Sequence, residues 1–364
     1  MTHSPGVSAL RVSNEAFLVA STIERCPKTM MLRELVMNAL EAADQGVSNQ
    51  GQVSIDMVSV DRVPKLRIWN TGRGMSADEL YRMCDLASSL HKQTGLDRNF
   101  GMGAKVASLP SNKHGLRYRS CRDGVVSQAV LGQREGIYGR LLQEDPRHGD
   151  IREILDVTEA CHAEGCYDLS EDWTEVVLLG NHPAQDTALS PYDGNPPVRP
   201  DWISTTLIQR FFRISAHIRL TISASVSGSG QDVTFTPVAS RIGELTRVES
   251  VQGDGGIIIH YGYSALQDGG TAWAKDGVMP SAGMAAIVQR GEMYGRREGA
   301  SWVTEAPSYG FPFAARHCTV FIELPDGFGV RAEAYRQFLR FIDGDQRQVM
   351  LGDFATLVRA HIPG

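Results

Sequence analysis

The run from residue 28 to residue 71 constrains the fold more than any other part of the chain. Its first part has apolar residues at helical spacing, which define one face of a helix over 28–44: Met31, Leu32, Leu35, Val36, Ala39, Leu40 and Ala43. Two segments with alternating apolar and β-branched positions follow, at 53–60 and 65–69, and each pattern predicts a strand. Helices and strands therefore alternate within one region, and we expect a mixed α+β fold.

The length of 364 residues exceeds one ordinary core and favours two domains. Proline, aspartate and glycine cluster at 182–202, so we place a first domain at 1–190 and a second at 200–364. The formal net charge of −6 does not indicate a nucleic-acid binder, although a local basic groove is compatible with it. No apolar run approaches the roughly 20 residues that cross a bilayer, and the first residues lack the pattern of a secretory signal.

The six cysteines are too few for a disulfide scaffold in a chain of this length, and we interpret them as reduced thiols of a cytoplasmic protein. Cys161 and Cys166, with His162 between them, form the one cluster that resembles metal ligands. Its spacing matches no standard zinc pattern, and we expect no metal there.

Further elements are predicted from pattern and capping. The first half has a helix at 14–25 that begins at Asn14, a short helix near Ser76, and strands near 117–120, 125–131 and 175–179. The second half has a helix at 202–212 and strands near 218–226, 233–238, 256–261, 285–290 and 319–324. Two terminal helices are expected at 331–342 and 346–360.

Glu34 and Asn38 lie four residues apart on the predicted helix, so their side chains project from one face. A carboxylate can align and deprotonate a water molecule, and an amide oxygen can bind Mg²⁺. The alternative is an ordinary polar edge on an amphipathic helix.

Two glycine-rich segments follow strands or loops. NTGRGM (70–75) comes directly after the strand that ends at Trp69, and its glycines would let the backbone approach a flat ligand; a simple β-turn is the alternative. NFGMGAK (99–105) opens a helix, where free backbone N–H groups favour phosphate oxygens. Lys105 could add a charge contact or point to solvent. The chain lacks the P-loop pattern.

Together these segments resemble the GHKL superfamily of ATP-binding proteins, closest in style to its heat-shock chaperone and MORC branches. LRELVMNALEA (32–42) resembles the first family motif, NTGRGM the second and NFGMGAK the third, at the end of the ATP lid. WTEVVL (173–178) resembles a fourth, a strand that carries a threonine near the adenine. The resemblance covers residues 14–180 and implies a Bergerat-type α/β sandwich that binds ATP.

The resemblance also implies roles by position. Glu34 would be the general base for hydrolysis and Asn38 the Mg²⁺ ligand, while Asn70 and Thr174 would recognise the adenine. The family normally has aspartate where this chain has Asn70, whose amide oxygen can still accept a hydrogen bond without charge assistance. The other residues of these motifs complete the nucleotide-binding set: Gly72, Gly74, Met75, Asn99, Phe100, Gly101, Met102, Gly103, Ala104 and Lys105.

The resemblance further implies that the second half is a transducer-like α/β domain that sends a basic residue to the γ-phosphate. Lys275 is the candidate, with Arg290 and Arg296 as alternatives; an exposed loop lysine is the other interpretation.

The leading functional hypothesis is an Mg-dependent ATPase that closes as an ATP-dependent homodimer on a protein or nucleic-acid client, away from membranes. A nucleotide-gated binding module with little turnover is the alternative. A histidine-kinase-like phosphotransferase ranks lower, because the chain shows no membrane segment and no histidine of a dimerisation helix.

Overall fold

The computed structural model describes residues 13–46, 50–86, 103–165, 168–267, 270–271, 279 and 283–364. The fold is mixed α+β, as expected from the sequence. The described residues contain nine α-helices: α1 Glu15–Glu24, α2 Met31–Asp44, α3 Ala77–Met83, α4 Gly103–Ser108, α5 Thr158–Glu164, α6 Trp202–Arg210, α7 Val238–Arg241, α8 Gly299–Glu305 and α9 Ala355–Ala360.

Most strands of the first half belong to one sheet, in which they pair with each other in antiparallel fashion. The strands of this half are β1 Gly51–Val60, β2 Val63–Thr71, β3 Gly115–Arg122, β4 Val125–Arg134, β5 Ile137–Arg140, β6 Gln143–Glu144, β7 Ile151–Arg152, β8 Ile154–Asp156 and β9 Trp173–Gly180. The second half contributes β10 Ile218–Ile222, β11 Val233–Thr234, β12 Arg247–Gln252, β13 Ile258–Tyr263, β14 Leu266–Gln267, β15 Gly270–Thr271, β16 Met284–Gln289, β17 Glu292–Glu298, β18 Cys318–Leu324, β19 Val330–Ala332 and β20 Leu339–Phe341.

The larger sheet has nine strands in the described part of the chain, in the order β11-β10-β1-β2-β9-β3-β4-β5, with β8 paired to β4. Helix α2 packs on one face of this sheet, against β1 and β2. The apolar face predicted for α2 is buried, from Met31 through Ala43. The helix begins one turn later than expected, since residues 28–30 form a 3₁₀ turn.

The smaller sheet has the order β12-β13-β18-β16-β17. Its inner strand β16 is buried along its whole length, with Ala286 and Val288 in the core shared with the larger sheet. Ala285 and Ile287 alternate with them and pack in a second core beneath α8 and α9. A strand buried on both faces has a continuous apolar sequence, and β16 lies within one residue of the strand predicted near 285–290.

The cap at Asn14 is as expected, and a second cap is found near the predicted helix start at Ser76. The Asn14 side chain accepts a hydrogen bond from the Phe17 backbone N–H at 2.9 Å, which caps α1. Ser76 and Glu79 form a reciprocal capping box at the start of α3.

The two predicted terminal helices are wrong in most of their length. Residues 331–342 form part of a hairpin, β19 and β20, that pairs Val330 with Phe341 and Ala332 with Leu339. Arg336 lies in the turn with φ of 55°, a left-handed conformation that interrupts any helix. Of 346–360, only α9 is α-helical, preceded by a 3₁₀ turn at Leu351–Phe354.

The domain bounds at 1–190 and 200–364 stay a prediction. The larger sheet does not end at that position, because β10 pairs in parallel with β1 and joins residues 218–222 to residues 51–55. A contiguous apolar core likewise contains residues from both sides of 190–200, for example Leu35 and Phe321. Across the described ranges, no helix combines the length and apolar character needed to span a bilayer.

Candidate functional site

Helix α2 carries Glu34 into the interior and leaves Asn38 at the surface. Glu34 is only 3% exposed, whereas the Asn38 side chain one turn further along is exposed to solvent. One carboxylate oxygen of Glu34, Oε1, accepts a hydrogen bond from Nη1 of Arg33. The other oxygen, Oε2, is buried and has no hydrogen-bond partner among the residues that the structure describes.

Arg33 connects Glu34 to the second half of the chain. Its Nε donates to Glu292 Oε2 at 2.9 Å, and its Nη2 contacts the other Glu292 oxygen. Arg210, at the end of α6, donates to the same Glu292 Oε2 at 2.6 Å, and Arg336 lies 3.9 Å from Oε1. Burial alone would raise the pKa of Glu292, but Arg210 and Arg33 outweigh it and hold that pKa below its usual value.

Asn70 and Thr174 lie side by side, as their proposed common role requires. They are directly paired between the antiparallel strands β2 and β9. The Asn70 amide nitrogen donates to the Thr71 carbonyl at 2.9 Å, so the carbonyl oxygen of Asn70 is the group that could accept from a ligand. The Thr174 hydroxyl contacts the Ser120 hydroxyl at 2.8 Å.

Ser120 is a residue that the sequence analysis missed. Its hydroxyl accepts from the Met75 backbone N–H at 2.8 Å and donates to the Trp173 carbonyl at 3.1 Å. It therefore ties the 70–75 turn to the strand that carries Thr174. The signal in the sequence was a single serine among the arginines and apolar residues of β3.

The two glycines of the turn have a structural reason for their identity. A Cβ on Gly72 would lie 2.6 Å from the Ala42 carbonyl oxygen of α2. Gly74 has φ of +65°, and a Cβ there would lie 1.9 Å from the Cys121 carbonyl oxygen of β3. The turn therefore packs closely between α2 and the sheet. This close packing is sufficient to explain why both positions are glycine.

Helix α4 supplies the described part of the third segment. Gly103 begins the helix, Ala104 is buried, and Lys105 is also buried. The Lys105 ammonium donates to the Asp85 carbonyl at 2.6 Å and to the Met83 carbonyl, at the end of α3. Burial lowers the pKa of Lys105 to about 8. A contact with phosphate would require these two hydrogen bonds to be exchanged.

Several predicted site residues lie outside the described residues: Asn99, Phe100, Gly101, Met102 and Lys275. The two arginines named as alternatives to Lys275 have different surroundings in the structure. Arg290 lies in the turn between β16 and β17 and lines a cavity together with Glu34. Arg296 instead donates to Glu298 at 3.0 Å.

That cavity has a volume of about 570 Å³ and lies between the α1–α2 region and the β19–β20 hairpin. Its described lining is mixed in charge. The charged and amide side chains are Glu34, Gln289, Arg290, Glu292, Arg331, Glu333, Arg336, Arg340 and Gln346. Most of these lie after residue 288, and apart from Arg290 the sequence analysis did not assign them to the same site as Glu34.

Within the described ranges, no group of three or more histidine, cysteine, aspartate or glutamate side chains is arranged to hold a metal ion. Cys161 is buried on α5, and Cys166 lies outside those ranges. A scan against models of protein families and a search of curated proteins both found no match to this chain.

Proposed function

We propose that this protein binds Mg-ATP and hydrolyses it slowly, as a GHKL-type ATPase with a Bergerat nucleotide-binding region and a transducer-like second half. One observation carries the proposal. Helix α2 packs against both β2 and α4, so the first three motif segments meet at the helix that bears Glu34 and Asn38. The buried Glu34 oxygen without a described partner then supplies a proton acceptor at that place.

Each residue has a chemical task in this proposal. Glu34 Oε2 accepts a proton from the attacking water, whose oxygen forms a bond to the terminal phosphorus as the bond to the ADP oxygen breaks. Asn38 is accessible and offers the hard oxygen that Mg²⁺ prefers. The metal ion would neutralise charge on the phosphates. Asn70 and Thr174 would bind the base.

The test is phosphate release from Mg-ATP by the wild type and by Glu34→Gln. This substitution keeps the shape and one acceptor for Arg33 but removes the proton acceptor, so turnover should fall by about 10²- to 10⁴-fold while ATP still binds. Asp44→Asn is the matched control, because Asp44 is an exposed carboxylate at the end of the same helix. Equal turnover in the wild type and Glu34→Gln would remove the assigned base.

Two further variants test nucleotide binding. Asn38→Ala should abolish Mg-dependent ATP binding in a titration, and an unchanged affinity would remove the metal role. Asn70→Asp should preserve or tighten adenine-nucleotide binding, because a carboxylate accepts the amino proton with charge assistance. A strong loss would mean that the base lies elsewhere.

A nucleotide-gated binding module is the second candidate, and the contact between Arg33 and Glu34 favours it. The Arg33 guanidinium occupies one carboxylate oxygen of Glu34, and if this contact holds the side chain away from an attacking water, the ATP-bound state would persist. This candidate predicts bound ATP without phosphate release, together with nucleotide-dependent dimerisation on a protein or nucleic-acid partner. Sedimentation with a non-hydrolysable ATP analogue measures the dimer; an unchanged monomer would contradict it.

A further inference from the structure

The cavity beside Glu34 is larger than a terminal phosphate requires. Its volume of about 570 Å³ lies in the range of sites for small organic ligands, roughly 300–1,000 Å³. Asn70 and Thr174, the residues assigned to the adenine, are not among its described lining residues. The cavity therefore meets the proposed nucleotide site at Glu34 and Gly103, while most of its other described lining residues lie outside that site.

One side of the cavity is positively charged. Arg331 donates to the Gln346 side-chain oxygen at 2.9 Å, and Arg340 donates to the Gln346 carbonyl at 3.1 Å. Both bonds go to neutral oxygens. Neither arginine has a carboxylate within 4.0 Å in the described part of the chain, so both guanidinium charges are available to an anion. Guanidinium groups match phosphate oxygens in geometry as well as in charge.

Other lining atoms are hydrogen-bond acceptors without a donor. Gln289 is 8% exposed, and its Oε1 is buried with no partner among the described residues. Glu34 Oε2 and Glu333 Oε2 are also buried, and neither has a hydrogen-bond partner among the described residues. Buried acceptors of this kind cost free energy unless a donor reaches them. A ligand that carries both an anionic group and hydroxyl groups would pair with the arginines and donate hydrogen bonds to the buried acceptors.

We propose that this cavity is a second ligand site, which binds a small phosphate ester with free hydroxyl groups. The phosphate lies against Arg331 and Arg340, and the hydroxyls donate to Gln289 and to the carboxylates of Glu34 and Glu333. If Glu34 is the base of the proposed ATPase, a ligand hydroxyl on its Oε2 displaces the attacking water. Occupation of the cavity then lowers ATP turnover, a consequence that rests on the proposed function.

The test is a calorimetric titration of the nucleotide-free, 364-residue chain with ribose 5-phosphate as the probe. We expect saturable binding of ribose 5-phosphate and none of ribose. Arg331→Ala and Arg340→Ala should each weaken binding at least tenfold, because each removes a charge that faces the phosphate. Arg199→Ala is the matched control and should bind like the wild type, because its side chain is 81% exposed and away from the cavity.

A further variant, Gln289→Leu, tests the part of the cavity that carries the hydrogen-bond acceptors. It keeps the charge and the approximate size of the side chain, so thermal melting should show a folded protein while ribose 5-phosphate binds more weakly. Wild-type affinity in all three cavity variants, or no binding of ribose 5-phosphate to the wild type, would overturn the proposal.

A competition titration separates this site from the nucleotide site. We expect ribose 5-phosphate to bind the Asn38→Ala protein with unchanged affinity. Complete, stoichiometric displacement of ribose 5-phosphate by ATP would assign the arginines to the nucleotide itself and overturn the second site. Binding of ribose 5-phosphate by a protein that neither binds nor hydrolyses ATP would support this inference and reject only the proposed ATPase.

Discussion

Glu292 neutralises a buried group of arginines, and its removal should be among the most destabilising single changes in the protein. Glu292 is 3% exposed at the start of β17, and its two oxygens accept from Arg33 and Arg210. Arg33 is itself 1% exposed. In Glu292→Ala, Arg33 keeps only Glu34 as a counter-ion, and Arg210 loses its carboxylate.

The magnitude follows from the burial of the partners. Removal of one member of a buried ion pair leaves an uncompensated charge and costs about 3–5 kcal/mol, whereas loss of an exposed pair costs about 0–1 kcal/mol. We expect Glu292→Ala to lower the free energy of unfolding by about 4 kcal/mol. Glu292→Gln, which keeps the shape and one acceptor oxygen, should cost less, and the difference between the two variants measures the hydrogen bonding that remains.

Urea denaturation of the wild type and the two variants provides the measurement, with Arg199→Ala as the control. Arg199 is an exposed arginine paired with Asp201, so its removal should change the free energy of unfolding by no more than about 0.5 kcal/mol. A loss below about 1 kcal/mol in Glu292→Ala, with an unchanged denaturant slope, would refute the argument that this carboxylate compensates buried charge.

Two further predictions concern the 70–75 turn and the smaller sheet. Gly74→Ala should lower the free energy of unfolding by about 3 kcal/mol, because its Cβ would collide with the Cys121 carbonyl and φ is positive. Gly136→Ala, with φ of +82° and open space around it, should cost only about 1 kcal/mol in the same urea titration; equal costs would exclude the collision. The hydrogen bond from His260 lowers the pKa of Glu323 to about 2, so its stabilisation is present above pH 4.5 and lost towards pH 2. The stability difference between wild type and Glu323→Gln should therefore shrink by about 2–3 kcal/mol between pH 7 and pH 2, and a constant difference would contradict this.

The sequence predicted correctly those elements whose conformation is determined by residues within the element itself. The apolar face of α2, the alternation along β1 and β2 and the cap at Asn14 all follow from spacing within one element. The helix predicted at 331–342 was wrong because contacts from elsewhere decide its conformation. Arg210 donates to the Arg336 carbonyl at 2.8 Å and helps hold the turn in which φ of Arg336 is positive.

The candidate site was predictable only in the parts that lie within one element or that the family resemblance associates. Spacing placed Glu34 and Asn38 on one helix, and the order of the motifs associated Asn70 with Thr174, which the structure pairs across two strands. Arg33 and Glu292 are 259 positions apart, and no local pattern indicates that they meet. Lys105 is buried and donates to the Met83 and Asp85 carbonyls, whereas its place in the motif implied a contact with phosphate.

The pairing of β10 with β1 bears on how the chain can be divided. A fragment that stops at residue 199 lacks β10 and leaves the backbone of Gly51–Ile55 unpaired along one edge of the larger sheet. That edge carries Val53 and Ile55, which are buried in the whole chain, next to free N–H and C=O groups. An exposed apolar edge of this kind recruits strands from other molecules. Such a fragment should therefore self-associate in dilute solution through this edge, and extension of the fragment through Thr234 should remove this route to association, because it restores the partner strand.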